Sequence, residues 1–172
     1  MIPNVTRGGR TVGVLVYLVG KGKREEHQDP HLVAGSPEAF LRWGGRSSEA
    51  VDEDRVGDGR QTLDRSDAVA IARFLDEPRE QFGTNVTIAE RDQGGWVIGA
   101  RDARVWHCSL SLHPSEPALT DERWAQICEA LVERMGFAGE TAKAQCRWVA
   151  VRHGRSAGGS DHAHASDKRP RR

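Results

Sequence analysis

Residues 145–164 read QCRWVAVRHGRSAGGSDHAH, and the way this stretch folds decides the rest of the chain. Trp148 to Val151 is a short apolar run that leads to His153. Gly154 to Ser160 is rich in glycine and serine and reads as a turn. Asp161, His162, Ala163 and His164 follow. On an extended chain residues i and i+2 lie on one face, so His162 and His164 fall together. If the turn closes a hairpin, His153 folds back beside them. Three imidazoles on one sheet face make a metal site with open positions for substrate. A His-x-His close to a polar end is also common in solvated tails, so this stretch alone leaves both readings open.

The chain has 172 residues, enough for one domain with its own core. It carries 25 Lys and Arg against 25 Asp and Glu, so no overall cationic field draws it to nucleic acid. Contact with nucleic acid would have to come from local clusters, of which two stand out: Lys21, Lys23 and Arg24, and the terminal Lys168, Arg169, Arg171 and Arg172. The three cysteines, Cys108, Cys128 and Cys146, are widely spaced and odd in number. That argues for a reducing, cytoplasmic setting rather than a disulfide framework, and their spacing does not suit a structural zinc. The apolar run at 11–19 is too short to span a bilayer, and Gly-Lys-Gly-Lys-Arg after it is no cleavage site, so no membrane partner is expected.

Outward from the opening stretch, Val105 to Leu112 is the clearest strand, with Trp106, Cys108, Leu110 and Leu112 alternating with His107, Ser109 and Ser111. Thr120 caps a helix whose Trp124, Ile127, Cys128, Leu131, Val132 and Met135 recur at helical spacing until Gly136. Cys146 to Arg152 is a second strand, expected beside the first and antiparallel to it. Ser66 and Asp67 read as the cap of a helix with a stripe of Ala68, Ile71, Ala72 and Leu75, which Pro78 should end. Val86–Ala89 and Trp96–Ile98 suggest a hairpin. Residues 44–65 are polar and Gly-rich and read as a mobile loop. Met1 to Thr6 suggests a short strand. Thr11 to Val19 is ambiguous: its valines favour a strand, whereas as a helix it would place Val12, Leu15, Val16 and Val19 on one face and aim Tyr17, the single tyrosine, well away from it. The segment KGKREEHQDPHLVAG reads as a loop.

Several of these pieces, in order, resemble MobA-type relaxases, the HUH nucleases of plasmid mobilisation: YLVGKGKREEHQDPHLVAG, then VWHCSLSLHP, LTDERWAQICEALVERMGF, and CRWVAVRH with DHAH. The resemblance covers most of residues 1–164. It implies an α/β (α+β) relaxase-like palm, an antiparallel sheet with helices on one face and single-stranded DNA on the other, and it makes 11–19 a helix. It implies site-specific nicking of one DNA strand at a transfer origin, through a phosphotyrosine intermediate. Carried onto this sequence, Tyr17 is the nucleophile. His153, His162 and His164 hold a divalent metal, magnesium or manganese, and Asp161 fixes the tautomer of one imidazole. Lys21, Lys23 and Arg24 lie just past Tyr17, where they would hold flanking phosphates, and His27 and His31 read either as DNA contacts or as caps of the loop. Accessory mobilisation proteins and a coupling protein are the further partners implied.

The resemblance weakens after His164. Family members continue with an apolar strand, whereas here Ala165 to Arg172 reads as a basic polar tail with Pro170 in it. The expectation is a relaxase domain shortened after its His-x-His, whose metal is weakly held because only Ala163 and Ala165 anchor that segment. A non-catalytic single-stranded-DNA-binding palm and a non-functional fragment are the alternatives.

Overall fold

A computed structural model gives the fold as mixed α+β. It describes residues 1–21, 27–44, 61–113, 115–140, 142, 145–155 and 161–168, with backbone alone for 154, 155 and 161–168. The elements are β1 (Ile2–Gly8), α1 (Thr11–Val19), β2 (His31–Gly35), α2 (Pro37–Trp43), α3 (Arg65–Phe82), β3 (Thr87–Arg91), β4 (Val97–Asp102), β5 (Val105–Ser111), α4 (Asp121–Arg134), β6 (Arg147–Arg155) and β7 (Asp161–Lys168). Five strands form one antiparallel sheet in the order β1-β5-β7-β6-β2, and β3 and β4 form a separate hairpin.

The order corrects one expectation. β5 and β6 are not neighbours: β7 pairs with both, so the two run parallel with a strand between them. The physical reason is the helical crossover. A strand, a helix and a second strand return the chain in its original direction, which leaves a gap that the hairpin partner of β6 fills. β7 is therefore the central strand of the sheet, and it extends through Ala165–Lys168, which the sequence suggests as tail. Its composition makes sense once the register is known. Ala163 stands opposite Leu110 and Ala165 opposite Cys108 and Ala150. On that face the flanking strands carry Trp106, Cys108, Leu110, Trp148 and Ala150 of the core under α4.

Helices cover both faces of the sheet, not one. α4 lays Trp124, Cys128 and Val132 on Trp106, Cys108, Leu110, Trp148 and Ala150. α1 and α3 bury Leu15, Leu18, Ile71 and Leu75 with Val149 and Val151 on the other side. β6 faces both cores, which explains its uninterrupted apolar run. Only part of the second face is covered, since Ile2, Asn4 and Thr6 of β1 are exposed and Ser109 and Ser111 of β5 are half-buried.

The ambiguous segment 11–19 is a helix, against its β-propensity. Its buried side is Thr11, Leu15 and Leu18, while Val12 is exposed, so the expected stripe is rotated. Thr11 Oγ1 donates to Asp76 Oδ1 of α3 over 2.7 Å, which ties the two helices together and fixes that rotation. His31–Gly35 is a buried edge strand rather than loop. Its residues pair with Val149–Arg152 of β6 and fill both cores, which the charge around them hides in the sequence.

α3 starts at Asp64, which accepts from Asp67 N over 2.9 Å in a capping box with Asp67. It then runs through Pro78 to Phe82 and closes at Gly83 with φ of 62°. Proline lacks the N–H that would bond the carbonyl four residues back, and that carbonyl belongs to Phe74. Arg147 Nη1 donates to it over 2.7 Å and also pairs with Glu77, while its guanidinium lies 4.3 Å from the Phe74 ring centroid. Arg147 thus replaces the missing backbone donor. We expect Arg147→Ala to cost about 1.5–3 kcal/mol, the worth of a hydrogen bond from a charged group, read from urea unfolding. The cost should shrink in a Pro78→Ala background, where the backbone supplies its own donor. An equal cost in both backgrounds would contradict this role.

Candidate active site

Tyr17 lies in the last turn of α1 and is 47% exposed. It is placed there because Leu15 and Leu18 turn inward on either side of it. With Arg10, Gly13, Val14 and His107 it lines an open pocket of about 360 Å³ beside the uncovered part of the sheet. The His27 ring meets Tyr17 edge-on, with centroids 5.0 Å apart and planes at 82°. The same ring lies 4.1 Å from that of His153, tilted by 45°. The three rings form a continuous array, with His27 and His153 buried and Tyr17 at the solvent end. Gln28 N donates to the His153 carbonyl over 3.1 Å, fastening the His27 loop to β6.

The backbone register of β7 adds the other two histidines by position. His164 stands opposite Ser109 on one side and Val151 on the other, and His162 stands opposite Ser111. Val151 belongs to the core under α1, so this register assigns both histidines to the face of the sheet that α1 occupies. Their side chains and that of Asp161 lie outside what the structure describes. Among the described residues no three His, Cys, Asp or Glu side chains stand together as a metal-binding set.

The residues expected to hold DNA divide. Lys21 is exposed just past α1, and Lys23 and Arg24 lie outside the described residues. His27 and His31 do not face solvent, at 8% and 5% exposure. His31 is committed inside the protein: Nδ1 lies 2.7 Å from Asp29 O and Nε2 3.0 Å from Asp121 Oδ2. These contacts give His31 a structural role that follows from the burial of β2. His27 belongs to the ring array instead.

Arg10 and His107 are pocket residues that the sequence reading did not select. The alternation of β5 marks His107 as polar-face, but only the fold shows that α1 ends over it. Thr6 Oγ1 is 3.3 Å from His107 Nδ1. Burial pulls the His107 imidazole below its ordinary pKa of 6.5. Its folded value is then lower than its unfolded one, so the unfolded chain binds more protons below about pH 6.5. Stability from this group is full above that pH and declines as pH falls toward the folded value. We expect urea midpoints to drop between pH 7.5 and pH 5.5, and His107→Gln to reduce that slope. An unchanged slope would contradict the burial of this ring.

The thiols offer no alternative nucleophile. Cys108, Cys128 and Cys146 are buried. Burial, reinforced by Cys108 and Glu129, pushes the Cys128 thiol to about 12, and burial also raises Cys108, so these two stay protonated and inert. Among the described residues no helix is long and apolar enough to cross a membrane. No family model matches the chain, nor does any curated protein or solved structure.

Proposed function

We propose that this chain is a relaxase-type DNA strand transferase domain that nicks single-stranded DNA through Tyr17. The observation that carries the reading is the ring array: the single tyrosine stands at the solvent end of two buried histidine rings tilted against each other. The register of the central strand brings a His-x-His to the same sheet face. In the reaction, the Tyr17 oxygen attacks the scissile phosphorus and loses its proton. The bond from phosphorus to the 3′ oxygen breaks, the 3′ oxygen leaves as a hydroxyl, and the 5′ phosphate remains on Tyr17. The polar strip of exposed Asn4 and Thr6 and half-buried Ser109 and Ser111 beside the pocket suits an extended DNA strand, and Arg10 and Lys21 supply cations near the phosphates.

The donor chemistry fits a divalent metal held by His153, His162 and His164. Bound there, it would neutralise charge that develops on the non-bridging phosphate oxygens. Imidazole donors favour manganese and later divalent ions over magnesium, which prefers oxygen ligands. Partners at a transfer origin, accessory proteins and a coupling protein, belong to the same reading.

The test uses end-labelled single-stranded oligonucleotides that tile both strands of the DNA flanking the reading frame. The expected result is cleavage of one tile, dependent on added manganese and lost in His153→Ala. Binding of tiles with no cleavage under any divalent ion would replace this reading with a single-stranded-DNA-binding palm. Neither binding nor cleavage would remove both.

A further inference from the structure

His27 makes a pair of contacts that determine its proton. Its Nδ1 lies 3.1 Å from Tyr17 O and 3.0 Å from Gly20 O. Both partners are carbonyls and can only accept, so Nδ1 carries a hydrogen and donates it. In the neutral ring the lone pair is then on Nε2. Among the described residues no hydrogen bond is made by Nε2. Histidines that bind metals show this arrangement: one nitrogen donates to a carbonyl, which orients the ring and raises the basicity of the other. The ring also rests against that of His153, at 4.1 Å.

We propose that His27 is a metal ligand through Nε2, on the same ion as His153. The inference rests on the reading of His153 as a ligand and extends it to a residue in the loop after α1. His153 comes from a strand buried on both faces, and His27 is held by two carbonyls at the end of α1. Together they form the anchored half of the site, independent of β7. The same two carbonyls belong to the turn that carries Tyr17, so the ion would be coupled directly to the position of the nucleophile.

Asparagine separates the two jobs of this side chain. Its amide nitrogen sits where Nδ1 does and can donate to the same carbonyls, but it has no nitrogen at the Nε2 position. Manganese binding is measured by calorimetry at pH 7.5 for the wild-type chain, His27→Asn and His153→Ala, with a thermal melt of each without metal. The expected result is a His27→Asn melt close to wild type with manganese affinity reduced about tenfold or more. Unchanged affinity in His27→Asn, with loss in His153→Ala, overturns the assignment of His27 and leaves the His153 site standing. No binding by the wild-type chain overturns both. If His27→Asn does not fold, two-bond proton–nitrogen spectra of the wild-type imidazoles decide: added zinc must move the His27 Nε2 resonance, and an unmoved resonance overturns the proposal.

Discussion

Asp121→Ala is expected to remove about 3–5 kcal/mol of stability, the usual cost of breaking a buried ion pair by deleting one partner. Asp121 opens α4 and is 13% exposed. One carboxylate oxygen takes Arg152 and the other lies 3.0 Å from His31 Nε2. His31 in turn holds Asp29 O. A single carboxylate therefore joins the start of α4, the edge strand β2 and the part of β6 one residue before His153. Alanine would leave the Arg152 guanidinium, itself 14% exposed, without that counter-charge, and would also remove an anion from a helix N-terminus. Against a total of about 5–15 kcal/mol for a domain of this kind, the loss is a large fraction. Urea unfolding of the metal-free protein is the measurement. A change below about 1 kcal/mol would show that water already screens the cluster and that it does not anchor the His153 end of β6.

Tyr17→Phe is expected to lower the rate of DNA cleavage by about 10³-fold or more, as deletion of a nucleophile does. Stability should be unaltered within about 0.5 kcal/mol, because the residue is half exposed and none of its packing is removed. Affinity for single-stranded DNA should change little, since the cations and the polar sheet strip remain. The combination distinguishes a nucleophile from a stacking platform: a platform would lose binding on Tyr17→Ala and be indifferent to phenylalanine. Cleavage retained by Tyr17→Phe would sink the assignment.

Much of the α4 side of the fold is legible in the sequence because each segment there has one face and one period. The alternation of 105–111 and the stripe of 121–134 both point to the same core, and Thr120 and Gly136 mark the helix ends. Where segments are buried on two sides, periodicity vanishes and local propensity misleads. Valine-rich 11–19 is a helix because its partners are α3 and β6, and 31–35 is a strand because β6 needs an edge neighbour. Pro78 stops a helix in isolation, but Arg147, 69 residues later, supplies the donor it lacks. Strand order was hidden for a related reason. Nothing in Asp161–Lys168 looks central until the large side chains of β5 and β6 are seen on either side of it.

The candidate site shows the same limit. Tyr17 and His153 are selected by type and position, and the fold joins them through a ring array. His27 is selected too, but as a loop residue that contacts DNA or caps the loop, and only the carbonyls of Tyr17 and Gly20 reveal what its proton does. Arg10 and His107 carry no signal in the sequence beyond being polar, because the pocket they share forms only where residues of α1 meet His107 of β5 in the fold.

The most direct test of the central claim is intact-mass and peptide-mapping spectrometry of the wild-type chain after reaction with the tiled single-stranded oligonucleotides in manganese. The account predicts a covalent species heavier by the 3′ fragment of one tile, attached through its 5′ phosphate to the peptide that contains Tyr17. The matching 5′ fragment should be released with a free 3′ hydroxyl. Cleavage with no protein-bound fragment, or a fragment attached to any residue other than Tyr17, would contradict it.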